Sequence, residues 1–299
     1  MTTKTATRRK PSAAKIAERE ERLEAMHEML VAKTDALVTS EGWAEYLTFA
    51  ARFRQYSFNN TLLILIQMPT ATRVASYKKW AEMGRQVRKG EKGLSIFAPM
   101  TKRFEKEDAA TGEKTERRAV VGFRLVPVFD VSQTEGDALP EDVSRPTLLE
   151  GESPEGLDES LLKIINSHGY LIRFGPSERG ENGYTDPAAK MIQISEGLSD
   201  AQRTKTLIHE TAHMLLHCDD GKISDDALLH RNVAEVEAES VAFIVAQVHG
   251  LATSDYSVPY VAGWSNGKTE VIASTADRVL RTAKMILATT DPAEEEAAA

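Results

Sequence analysis

The sequence predicts an α+β protein of two domains: a helical module carrying a β-hairpin, followed by helices packed beside a small sheet. Three observations predict it. The apolar pattern changes from helical steps to strand-like runs near residue 90. An acidic stretch rich in Pro and Gly separates two patterned regions between residues 133 and 158. The charge also reverses across that stretch: residues 1–136 hold 24 Lys/Arg against 17 Asp/Glu, a balance of +7, and the remainder holds 13 against 28, a balance of −15. A basic module joined to an acidic one implies two jobs in one chain. The division is therefore a basic tail (1–13), a first domain (14–132), a linker (133–158), a second domain (159–290) and a short tail (291–299).

The elements follow in order. Residues 1–13 are polar without periodicity and are left unstructured. Ile16, Leu23, Met26, Met29 and Leu30 recur at three- and four-residue steps, which predicts a helix from Ala14 to Val38. Ser40 is expected to cap a second helix with Trp43, Tyr46, Leu47, Ala50 and Phe53 on one stripe. A third helix runs from Asn60 to Met68 and stops before Pro69, and a fourth spans Ser76–Met83 before Gly84. Leu94–Ala98 and Phe123–Val131 read as strands, with the charged segment Lys102–Arg118 as an exposed hairpin tip or loop. In the second half the pattern gives a short helix (Ser160–Ser167), a strand (Tyr170–Phe174), a glycine-rich loop, and a strand at Met191–Ile194. Ser199 is placed to cap a helix ending near His217. Two further helices cover Asn232–Val248 and Thr269–Ala288.

Composition narrows the class. Of 299 residues, 41% are hydrophobic, enough for real cores. The longest apolar runs, Leu62–Ile66 and Val241–Ala246, are far too short to cross a bilayer. No apolar stretch follows the basic N-terminal residues, as a secretory signal would require. The single cysteine, Cys218, excludes an internal disulfide. A cytoplasmic protein with no membrane partner is the expectation.

The chemistry concentrates in His209-Glu210-Thr211-Ala212-His213, an H-E-x-x-H run inside a helical pattern. Residues four apart lie one turn above each other, so both imidazoles can converge on one ion. Glu210 sits one residue round from His209, placed to act as general base on a water that the ion activates. The following helix offers Glu235, Glu237 and Glu239. Glu235 and Glu239 share a face and Glu237 points elsewhere. Glu235 is assigned as third ligand and Glu239 as the acceptor that fixes a ligand histidine's tautomer. His217 lies about 12 Å along the axis from His209, too far to share its ion. It is read as structural, and Cys218 as a thiol outside the site. Zinc is the cofactor expected from the ligand types, although manganese or cobalt suits the same groups.

Residues 52–103 hold 11 basic side chains and two acidic ones, interleaved with aromatics. Single-stranded nucleic acid is bound by such mixtures, with cations on phosphates and bases stacked on rings. The candidate contacts are Arg52, Arg54, Tyr56, Lys78, Lys79, Arg85, Arg88, Lys89 and Lys92. Trp43, Phe53 and Trp80 fall at helical spacing and are assigned to the core.

Two resemblances add to these readings. Gly183-Tyr184, Met191-Ile-Gln-Ile-Ser195, Thr206-Leu-Ile-His-Glu-Thr-Ala-His213 and Glu235-Val-Glu-Ala-Glu239 resemble the ImmA/IrrE group of gluzincin-type metallopeptidases over roughly residues 160–250. That resemblance implies a zincin-like domain with Glu235 as third ligand. It also implies that the strand Met191–Ser195 lines the cleft, where an extended peptide pairs with it. Tyr184 and Tyr260 are candidates for stabilising the oxyanion. Phe58-Asn-Asn-Thr-Leu-Leu, Ser76-Tyr-Lys-Lys-Trp80 and Gly84-Arg-Gln-Val-Arg-Lys-Gly-Glu-Lys-Gly93 resemble the single-stranded-DNA-binding domain of ArdC-type antirestriction proteins. The order of both sets matches that family from about Trp43 to Gly250, with the charged segment Lys102–Arg118 as a departure. The resemblance implies a mobile-element protein that binds single-stranded DNA and carries a zinc metallopeptidase domain acting on an unidentified protein. Two other functions fit the same residues: a non-catalytic DNA-shielding protein with structural zinc, and a peptidase that cleaves a repressor.

Overall fold

The computed structural model describes residues 13–107, 114–138, 152–176, 181–219, 221–224, 227, 231–251 and 269–291. The expected tails, the tip of the hairpin, the middle of the linker and Tyr260 lie outside them.

Helices α1 (Ala13–Ala36), α2 (Ser40–Arg52) and α3 (Phe58–Gln67) open the chain. Thr39, not Ser40, caps α2: its backbone is extended and its hydroxyl accepts the Gly42 N–H at 3.0 Å. Ser40 is already the first helical residue. Ser57 caps α3 and Ser76 caps α4 (Tyr77–Glu82) in the same way, each satisfying an amide that the first turn leaves free. Trp43, Phe53 and Trp80 are all buried, as their spacing predicts.

Strands β3 (Leu94–Glu107) and β4 (Lys114–Asp130) form one long antiparallel hairpin, so the charged segment extends both strands. The short β1 (Val74–Ala75) lies on the other side of β4. That leaves β3 at an edge, where unpaired backbone groups need partners. Helix α3 supplies them. The Asn60 amide donates to Phe97 O (2.9 Å) and accepts from Phe97 N–H (2.8 Å), and Gln67 does the same for Ser95 at 3.0 and 2.8 Å. Two side-chain amides thus act as a substitute strand.

Strand β2 (Arg85–Val87) pairs with β5 (Thr134–Gly136), so the start of the expected linker is part of the first module. The second half starts with α5 (Leu157–Ser167), slightly earlier than its apolar pattern predicts. Next come β6 (Leu171–Gly175), β7 (Gly183–Asp186) and β8 (Met191–Ser195), in the order β6-β8-β7, with β6 parallel and β7 antiparallel to β8. Helix α6 (Asp200–His217), the short pair β9 (Cys218–Asp219) and β10 (Lys222–Ile223), and helices α7 (Arg231–Val248) and α8 (Thr269–Thr290) follow.

The two halves share one hydrophobic core. Trp43, Leu62, Ile208, Val241 and Ile286 belong to a single buried cluster. Helix α7 explains this: residues 241–246 are apolar all round and all buried, so α7 needs cover on every side. Helix α2 provides part of that cover, and the Trp43 indole donates to Ser240 Oγ at 3.0 Å. At another point of the boundary Arg54 pairs with Asp291 at 2.8 Å.

Candidate metal centre

Helix α6 begins where Ser199 Oγ accepts the Gln202 N–H at 3.3 Å, and it runs as one rod to His217. That rod stacks His209, His213 and His217 along one face against α7. The Nε2 atoms of His209 and His213 stand 3.0 Å apart, and Glu235 Oε2 lies 3.7 and 3.5 Å from them. One donor atom from each of these residues falls within 4.8 Å of the others. A tetrahedral ion with ligand bonds of about 2.1 Å separates its ligand atoms by about 3.4 Å, so this triangle fits one. Two imidazole nitrogens at such a distance also need a cation or proton between them.

The surrounding groups shape the charge. Glu239 Oε2 accepts from His209 Nδ1 at 3.0 Å, which fixes the ring with Nε2 towards the centre. Burial pulls the His209 pKa down, but Glu235 and Glu239 outweigh it and raise it to about 10. The neighbouring imidazoles of His209 and then His213 hold Glu235 well below the usual carboxylate range. Both shifts describe a negatively biased pocket that attracts cations.

Glu210 is buried beside the triangle. Burial raises its pKa, and the nearby histidines and Thr185 moderate the rise. Thr185 Oγ1 donates to Glu210 Oε2 at 2.8 Å and also lies 3.2 Å from the Glu210 carbonyl oxygen. This contact requires β7 to lie close to α6, and Gly183 allows it. A Cβ there would stand 2.7 Å from Thr206 Cγ2 and 2.9 Å from Gln193 O. Since Gly183 and Thr185 face α6, alternation turns Tyr184 to the opposite side, where its hydroxyl donates to Gln193 at 3.1 Å. Tyr184 is thereby removed as a candidate oxyanion donor. The strand expected to receive a peptide is corrected too: both edges of β8 are occupied, and β7 is the sheet edge beside α6.

Two residues set aside by sequence reasoning belong to the surroundings of the centre. His217 Nδ1 lies 3.0 Å from His213 Nδ1, and its Nε2 lies 3.0 Å from Glu237 Oε2. Glu237 is 1% exposed and pairs with Arg278 of α8.

The predicted nucleic-acid contacts are spread over the first module. Arg52, Lys78, Lys89 and Lys92 are exposed, and Lys79 is half-buried. Lys78 reaches Glu82 at 3.5 Å. Arg54 is buried and paired with Asp291, so it belongs to the packing between the halves and not to a basic surface. Tyr56 donates to Val74 O at 3.1 Å, Arg85 binds Thr134 at 2.9 Å, and Arg88 holds Glu91 at 2.9 Å. No helix among the described residues is long and apolar enough to cross a membrane.

A basic module bonded to a half with the donor set of a metallopeptidase-like domain defines the class. Residues 19–129 match the N-terminal domain of anti-restriction factor ArdC, and residues 166–255 match the IrrE N-terminal-like domain of the M78 peptidases. Two family models thus match in series along the chain, an ArdC-type N-terminal domain and then an IrrE-like domain. An uncharacterized protein of Bacillus anthracis is 27% identical over 288 residues, covering 85% of this chain and 48% of its own length. The chain thus spans about half the length of the curated relative it matches. Two similar crystal structures are of the antirestriction ArdC protein from the R388 plasmid. The metal-free form has a TM-score of 0.49 at 23% identity, covering 79% of this chain and 86% of that one. The Mn(II)-bound form has a TM-score of 0.44 at 20% identity, covering 82% and 98%.

Proposed function

We propose that the chain is a single-stranded-DNA-binding antirestriction protein whose second half is a zinc-dependent endopeptidase. The observation that carries the peptidase reading is the donor triangle of His209, His213 and Glu235 with a buried carboxylate, Glu210, beside it. A divalent ion held there supplies Lewis acidity, polarising a peptide carbonyl and lowering the pKa of water. Glu210 takes the proton from the attacking water and delivers it to the leaving amine. Its raised pKa suits that exchange, and Thr185 fixes the carboxylate's direction. The outer edge of β7, the end strand of its sheet among the described residues, offers backbone groups to an extended substrate.

Metal content by elemental mass spectrometry tests this. About one zinc per chain is expected, lost in a His209→Ala/His213→Ala variant; a wild type that takes up no metal would sink the peptidase reading. For the DNA half, the exposed Lys78, Lys89 and Lys92 are the cations to neutralise. Each phosphate deprived of its cation makes the slope of log affinity against log salt shallower by about 0.7 for a single strand. A salt-insensitive or absent affinity of the full chain for an oligonucleotide would end that half of the proposal.

A second reading, DNA shielding with a structural metal, is favoured by the single core that locks both halves together. Glu210→Gln separates the two: protection against restriction persists if the chain shields DNA and is lost if it cleaves a protein.

A further inference from the structure

We infer that His217, Glu237 and Arg278 form a positioning relay that sets the tautomer of His213, so that helix α8, outside the matched peptidase domain, prepares a ligand within it. The inference rests on reading His209, His213 and Glu235 as a metal site and goes beyond it.

The relay follows from the hydrogens each group can give. Arg278 only donates, and an ionised carboxylate only accepts. Glu237 has one oxygen on Arg278 and the other 3.0 Å from His217 Nε2, so that nitrogen carries a hydrogen and donates. Arg278 balances the Glu237 charge, and in the neutral imidazole with its hydrogen on Nε2 the His217 lone pair lies on Nδ1. The contact of 3.0 Å between the two Nδ1 atoms is then a hydrogen bond only if His213 donates. A neutral His213 protonated at Nδ1 has its Nε2 lone pair free, facing His209 Nε2 and Glu235. That is the form a metal requires.

The two ligand histidines thus reach one tautomer by different means. His209 donates directly to the Glu239 carboxylate. His213 donates to an imidazole, with the carboxylate one group further away. Burial supports a specific role: His217 and Glu237 are 5% and 1% exposed, and hydrogen-bonding groups are placed there only where their partners are fixed.

The test uses the full chain and zinc(II) alone, with affinity measured by chelator competition for wild type, His217→Phe, His217→Gln and Arg278→Met. His217→Phe keeps the bulk and removes the acceptor, and its affinity falls about 10–100-fold. His217→Gln recovers most of that loss, because its amide oxygen accepts from His213 and its N–H donates to Glu237. A purely packing role predicts the reverse order. His217→Phe binding as well as wild type, or His217→Gln binding as weakly as His217→Phe, would overturn the relay. If circular dichroism shows that His217→Phe does not fold, Arg278→Met carries the test from a partly exposed position: weaker zinc binding supports the relay, and unchanged binding overturns it. A wild type without zinc affinity is a separate result that removes the metal site itself.

Discussion

The hydrogen bond from Trp43 to Ser240 joins the two halves inside the core, and its removal has a calculable effect. Trp43 is fully buried and Ser240 is 1% exposed. Ser240→Ala removes one oxygen and strands a buried indole N–H, which costs about 1–3 kcal/mol. Trp43→Phe loses the same bond and also leaves space, roughly 2–3 kcal/mol, short of the roughly 3–5 kcal/mol of full truncation to Ala. In the double variant no polar group is stranded, so the penalties fall short of additivity by about 1–2 kcal/mol. Equilibrium urea unfolding of the full chain measures this, followed by far-UV circular dichroism. Thiol labelling of Cys218, a partly buried residue in the second half, gives an independent probe. With one core, Trp43→Phe lowers the midpoint of both probes together. A labelling midpoint that Trp43→Phe leaves unmoved, or strictly additive penalties, would refute the shared core.

Gly183→Ala inserts a methyl against Thr206 and the Gln193 carbonyl and lowers stability by about 1–3 kcal/mol, read as a drop in thermal midpoint. Thr185→Val removes a hydrogen bond that favours the charged carboxylate, so the Glu210 pKa, already raised, climbs further; carbon-13 NMR titration of that carboxyl reports it. His249 supplies a pH dependence. Burial lowers its folded-state pKa, Asp291 opposes this and Arg54 reinforces it. The unfolded chain takes up a proton near its ordinary pKa of about 6.5 while the folded chain resists, so stability falls as pH drops below that value towards the folded pKa. Stability curves of His249→Gln against wild type between pH 7 and 5 check this, and the variant's curve is flatter.

Sequence patterns located the helices well, because caps and apolar stripes are local. Ser57, Ser76 and Ser199 each sit where the chain turns into a helix. The donor set was equally local: His209 and His213 share a helix face, and the pairing of Glu235 and Glu239 follows from the next helix alone. Strand β7 was missed, since Gly-Tyr-Thr-Asp has no apolar alternation and is a strand only because β8 pairs with it. The placement of His217 and Glu237 was missed for a related reason. Helical spacing shows which residues share a face, but the partner of Glu237 comes from α8, 41 residues away. Arg54 read as a surface cation because its counter-charge, Asp291, lies 237 positions further on. Only tertiary packing brings such pairs together.

The dependence of Glu237 on Arg278 also has a consequence in time. A ribosome adds about 5–20 residues per second, so the 41 positions between the two side chains take roughly 2–8 s to make. Throughout that interval the nascent chain already carries the histidines and Glu235, yet its buried carboxylate has no arginine to face. The ion pair that closes over Glu237 therefore forms only after α8 has been made, and the surroundings of His217 are the last part of this centre to be completed.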